Sequence, residues 1–147
     1  MAAKNIELVF DARQVDRFMT MSEEAINVGI DNGIKKALEY WKLMAMNDAP
    51  IGRYKGQRGG YLRTQIDTTP IRGSGFSAEG SVVANAFKNG FNYAYYVHNV
   101  ATKKGRKART PGTALNFLET SADKSEARIQ AMMLKALEDE AKRRGLS

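Results

Sequence analysis

With 147 residues the chain has room for one domain, residues 1–147, whose core needs neither a disulfide nor a structural metal. It contains no cysteine, which excludes thiolate chemistry and fits a reducing compartment. No stretch approaches membrane-spanning length, and the opening MAAKNIELVFDAR carries no sustained apolar run, so neither membrane insertion nor export is expected. The net charge of +7 is local. Stretches 49–66 (Arg53, Lys55, Arg58, Arg63) and 80–118 (Lys88, Lys103, Lys104, Arg106, Lys107, Arg109) hold ten cations and no carboxylate. The remainder, with thirteen cations against sixteen carboxylates, is slightly acidic.

In chain order, NIELVF alternates Ile6, Leu8 and Phe10, the period of a half-buried strand, and Asp11 with Gln14 offers a capping pair for a helix. From there Val15, Phe18, Ser22, Ile26, Ile30, Ile34, Leu38, Trp41 and Ala45 recur at three- and four-residue steps. This spacing predicts a long amphipathic helix, bent near residues 20–22. Continuous to Asn47 it would span roughly 50 Å, so part of it is expected to pack on another subunit. Gly29 and Gly33 lie one turn apart inside it. Each costs about 1 kcal/mol relative to alanine, which points to the close approach of a neighbouring backbone. Pro50 ends the helix, because the residue before proline is pushed away from helical angles.

The glycine- and cation-rich stretch 50–61 reads as a loop. Between Tyr61 and Val100 the period changes to two. YLRTQIDTT aligns Leu62, Thr64, Ile66 and Thr68, and FSAEGSVVANAF follows a turn at Gly73 and Gly75. Asn89-Gly90 favours a tight hairpin whose return strand is FNYAYYVHNV, so the expected sheet is an antiparallel meander. Stretch 101–112 is a second basic loop. Asn116 with Glu119 then reads as a capping box for a last helix. Its buried side is marked by Leu118, Ala122, Ile129, Met132, Met133, Ala136, Leu137 and Ala141. Lys142, Arg143 and Arg144 suit its carbonyl end, and Gly145 can take the left-handed stop conformation. The class is α+β: a long N-terminal helix and a C-terminal helix packed on a small antiparallel sheet.

Candidates for chemistry are few. His98 is the single histidine, and the nearest acidic residues in sequence are Glu79 and Glu119, so a structural or interface role is expected over a catalytic one. One histidine without cysteine leaves only carboxylates as metal ligands, and consecutive helix carboxylates such as Glu138, Asp139 and Glu140 point different ways. No metal, no cofactor and no enzymatic activity are expected. GSGFSAEG lacks the lysine of a phosphate loop and reads as a turn. The aromatics Phe87, Phe91, Tyr93, Tyr95 and Tyr96 read as cross-strand packing, with base stacking the other reading. The two basic loops carry the strongest functional signal: KKGRKAR would meet something acidic, either DNA phosphate or a negatively charged protein surface.

The order of motifs resembles the small head-to-tail joining, or tail-completion, proteins of long-tailed bacteriophages, which are minor virion components of the neck. The resemblance runs through Ala49-Pro50, Gly60-Tyr61-Leu62-Arg63 with Ile66, Tyr93-Ala94-Tyr95-Tyr96-Val97, and Pro111 with Phe117-Leu118. It implies a non-catalytic structural virion protein, located in the neck or tail and in the host cytoplasm during assembly. Such a protein would join a homo-oligomeric ring, hexamer or dodecamer, that connects tail to capsid and lets DNA pass. It would be a monomer alone until recruited. Its partners would be other neck, connector and tail proteins. Contacts with them or with DNA would fall on Arg53, Lys55, Arg58, Arg63, Lys103, Lys104, Arg106, Lys107 and Arg109. Subunit contacts would fall on Gly29, Gly33, Tyr93, Tyr95, Tyr96 and His98. The alternative is a sequence-nonspecific nucleic-acid-binding protein that uses the same loops.

Overall fold

The computed structural model describes residues 2–4, 12–50, 61–85, 87–88, 91–95, 98–99 and 113–145. Both basic loops and the expected strand NIELVF lie outside the described residues, apart from Pro50 and Tyr61 at the first loop's ends. Helix α1 spans Ala12–Phe18 and α2 spans Glu23–Asp48. The long rod is therefore broken, not bent. Ser22 sits on the expected apolar stripe yet is exposed, because its hydroxyl accepts a hydrogen bond from the Ala25 N–H and caps α2. The chain leaves α2 at Ala49, whose extended angles (φ −68°, ψ 134°) are those the following proline demands.

A short helical turn, α3 (Tyr61–Thr64), precedes strand β2 (Ile66–Thr68). Leu62 and Ile66 are both buried, a spacing that suits a helical turn as well as a strand, and the turn prevails here. Strand β3 (Val82–Ala84) pairs antiparallel with β2, Ile66 opposite Ala84 and Thr68 opposite Val82. The hairpin continues through Thr69–Ser81 and Arg72–Glu79 backbone bonds to a turn where Gly73 (φ 76°) and Gly75 (φ 55°) take left-handed angles, as the glycine signal predicts. The other edge of β3 is filled by β1 (Ala2–Lys4), Ala2 opposite Ala84.

Strands β4 (Phe87–Lys88) and β5 (Phe91–Asn92) form a separate antiparallel pair. The strand order β1-β3-β2 with a detached β4-β5 pair differs from a sequential meander. Period-two patterning identifies strands but not their neighbours. The expected return strand also stops after Asn92. Tyr93–Tyr95 forms a helical turn, α4, in which Ala94 is fully buried. With only two paired residues per strand, the backbone groups beyond Asn92 find partners more readily in a local turn than in a ladder.

The last helix, α5 (Phe117–Arg143), runs along α2. At about 1.5 Å per residue both helices are close to 40 Å long. The length of α2 is thus matched by a helix of the same chain that packs along it. Asn116 occupies the N-cap position without capping through its side chain; its Oδ1 accepts from the Thr120 hydroxyl instead. Gly145 (φ 81°) ends the helix as expected. The class is α+β, with β2 and β3 against α2, β1 against α5, and one cluster of buried side chains joining α2, α5, β2 and β3.

Candidate interaction site at the end of the helix pair

The last carbonyls of a helix lack intrahelical partners and must find others. At the C-terminal end of α2, three consecutive carbonyls do so from distant parts of the chain. Arg63 donates from Nε to Ala49 O (2.8 Å) and from Nη2 to Asn47 O (3.1 Å). Between them, Asp48 O accepts from the Ala114 N–H at 2.8 Å. Arg63 follows the first basic loop and Ala114 follows the second. Both loops therefore return to the protein body on adjacent carbonyls of one helix end.

The same end is held by buried polar contacts. The Asp48 side chain, 5% exposed, sits where the helix dipole disfavours an anion. Lys124 of α5 answers it, Nζ to Oδ1 at 3.0 Å, while Oδ2 has no partner among the described residues. Deeper in, Trp41 Nε1 donates to Ser121 Oγ (3.0 Å) and toward Leu118 O (3.3 Å). Ser121 in turn donates to Leu118 O at 3.0 Å, so the buried indole and hydroxyl are both satisfied.

His98 lies at this end as well. Its ring meets Phe117, the first residue of α5, edge-on at a centroid distance of 5.2 Å, and it is 7% exposed. Nδ1 lies 3.1 Å from Asn99 Oδ1, and Nε2 has no partner among the described residues. The ring is thus buried and edge-on to Phe117. Among the described residues no group of three His, Cys, Asp or Glu is arranged to hold a metal, and no described helix is long and apolar enough to cross a membrane.

The opposite end is laced by ion pairs. Glu140, 4% exposed, accepts from Arg143 (Nη2 2.6 Å, Nε 3.0 Å) and from Arg144 Nε (2.6 Å). These hydrogen bonds, Arg143 first, hold its carboxyl down at about 2 and push the Arg143 guanidinium up. Arg17 of α1 pairs with Glu138 at 2.6 Å, tying α1 to α5. Between the ends, Asp67 of β2 is lowered by the Thr68 N–H and by Lys42 of α2.

The expected contact residues divide. Arg53, Lys55, Arg58, Lys103, Lys104, Arg106, Lys107 and Arg109 lie outside the described residues, as does Tyr96, and Tyr93 is described only in its backbone. Arg63 is engaged with helix carbonyls. Gly29 and Gly33 do permit a close approach, but it is to the chain's own α5: an added Cβ would lie 3.0 Å from Leu137 Cδ2 at Gly29 and 2.7 Å from Met133 Sδ at Gly33. Within the single chain both glycines are covered by α5 and His98 is buried. Tyr95, 47% exposed, does lie at the surface. Sequence reasoning missed Asp48, Ala114, Ser121 and Lys124, and nothing local signals contacts that span 66 to 80 residues.

Comparison of the chain with protein-family models, curated proteins and solved structures returns no match.

Proposed function

We propose that the chain is a structural protein of a tailed-phage neck, a tail-completion component that assembles into a ring between tail and capsid and acts by shape and charge, without catalysis. The observation that carries this reading is the shared seat at the end of α2, where segments 51–60 and 101–112 both return. Those segments contain eight cations and no carboxylate. Segments of such concentrated positive charge, each followed in the chain by a residue bonded to the end of α2, suit docking onto a larger acidic assembly. In a ring each copy offers one surface to a different surface of the next, and among the described residues half-exposed Tyr95 is an expected interface residue that stands at the surface.

The test replaces Lys103, Lys104, Arg106, Lys107 and Arg109 together with glutamine. Thermal unfolding should be unchanged, while tails and filled capsids accumulate unjoined. Normal infectious particles from this variant would count against the loop's role. The second reading, a sequence-nonspecific nucleic-acid binder, is favoured by the same density of cations. It requires binding of free duplex or single-stranded DNA at moderate salt without any association with neck or tail proteins.

A further inference from the structure

We infer that copies of this chain join edge to edge through the three-stranded sheet: strand β2 of one copy takes up strand β1 of the next in a parallel pair, with Asp67 as the gate on the receiving edge. That the partner is a second copy rests on the ring reading proposed above.

The strand order β1-β3-β2 leaves β1 and β2 with one edge each that no described strand occupies. Along a strand, successive residues turn their amides to opposite sides, so the bonds made on one side fix which groups lie on the other. Thr69 donates to Ser81 O at 2.8 Å, and Asn85 donates to Gln65 O at 3.3 Å. Residues 65, 67 and 69 therefore face β3, while the N–H and C=O groups of Ile66 and Thr68 turn outward. The Thr68 N–H bears this out, because it is bonded to Asp67 Oδ1 at 2.8 Å and not to a strand. On β3 the same alternation assigns residues 81, 83 and 85 to β2. It leaves Val82 and Ala84 for β1, where they stand opposite Lys4 and Ala2. The N–H and C=O of Ala3 accordingly turn outward.

These two edges fit each other. In a parallel ladder one residue bonds to the two residues that flank its opposite number. Ala3 of the next copy, set opposite Asp67, would donate to Ile66 O and accept from the Thr68 N–H. The strand directions agree as well. Both β1 and β2 run antiparallel to β3, so a copy added in the same sense presents β1 parallel to β2. Two copies of β2 paired in register about a two-fold axis would instead set Asp67 against Asp67, a like-charge pair that destabilises a ladder. A joint that uses a different edge on each side is the kind from which a ring closes.

Asp67 controls access to the receiving edge. Its carboxylate holds the Thr68 N–H and meets Lys42 Nζ at 3.3 Å, and its side chain is 74% exposed, so it can turn aside. A charged side chain on an edge strand is a common guard against unwanted pairing. Here the guard must release one N–H before β1 of a neighbour can bond to it.

The experiment uses thiols introduced into a chain that has no cysteine. Opposed residues of paired strands lie within disulfide range. Full-length Ala3→Cys and Asp67→Cys chains, mixed in equal amounts and oxidised, should give mixed dimers well in excess of the share that random collision gives. Thr68→Pro, added to the Asp67→Cys chain, deletes only the outward N–H, a change that an edge strand tolerates, and should remove the excess. In sedimentation velocity, Asp67→Ala should self-associate about tenfold more tightly than wild type, because the competing hydrogen bond is gone. Thermal melts confirm that each variant is folded, and the share of mixed dimers decides the matter if the proline chain is not. Mixed dimers at no more than the random share overturn the joint, and an Asp67→Ala chain that associates no better than wild type overturns the gate. A joint that is absent while the chain is found in the neck of viral particles leaves the neck reading standing. A joint that forms in a chain absent from particles sinks the neck reading and leaves the joint.

Discussion

Replacing Gly33 with alanine sets two effects of opposite sign against each other. In a helix interior alanine is favoured over glycine by about 1 kcal/mol. Here the new methyl would lie 2.7 Å from Met133 Sδ, 3.1 Å from Met133 Cε and 3.2 Å from Ala136 Cβ. Met133 is 1% exposed, so its tip cannot swing into solvent. Overpacking of this kind costs about 1–3 kcal/mol, and the steric effect wins. The variant should be less stable by about 1 kcal/mol, a fall near 3 °C in Tm for a domain of this length. Urea titration followed by the fluorescence of the single tryptophan suits the measurement, because Trp41 is 2% exposed in the same helix interface. In a Met133→Ala background, itself about 2–5 kcal/mol less stable, the obstruction is gone and Gly33→Ala should stabilise by about 1 kcal/mol. An increase in stability of the isolated wild-type background on Gly33→Ala would refute the packing argument and return Gly33 to the list of surfaces open to another subunit.

Two further outcomes follow from the polar contacts. Trp41→Phe removes the donor to Ser121 and Leu118 and leaves a gap beside α5, and should cost about 2–4 kcal/mol by calorimetry; an unchanged melting temperature would show that the indole is not packed as described. The Glu140 carboxyl is held below its ordinary 4.5, at about 2, so its stabilisation is complete above that ordinary value and is lost as pH falls through the window toward about 2. Glu140→Gln should therefore be less stable than wild type at neutral pH, with the difference shrinking as urea titrations are taken down through this window. A difference constant with pH would mean that the arginine contacts are not made.

The two long helices are written plainly in the sequence. Ile30, Ile34, Leu38, Trp41 and Ala45 on α2, and Leu118, Ala122, Ile129, Met133 and Leu137 on α5, follow a period that admits one buried face, and all are buried. Pro50, Gly73, Gly75 and Gly145 act where they stand because their constraints are local to the backbone. The break before Ser22 was visible only as a bend. Whether a serine interrupts a helix or rides on it depends on whether its hydroxyl meets a free N–H, and here it meets Ala25.

The candidate site was legible in part. Charge marks the basic segments without any knowledge of the fold, since a run of Lys and Arg without carboxylates is a property of composition. The sequence alone therefore determines the class, the helix faces, the turns and the presence of two cationic stretches. Only the tertiary structure decides that Gly29 and Gly33 face the chain's own α5, that Arg63 holds carbonyls, and that both cationic stretches return to one helix end. The physical reason is range: periodicity and backbone constraints act over a few residues, whereas the partners of Asp48, Trp41 and the glycines lie 66 to 111 residues away and are chosen by which surfaces meet when the helices pack.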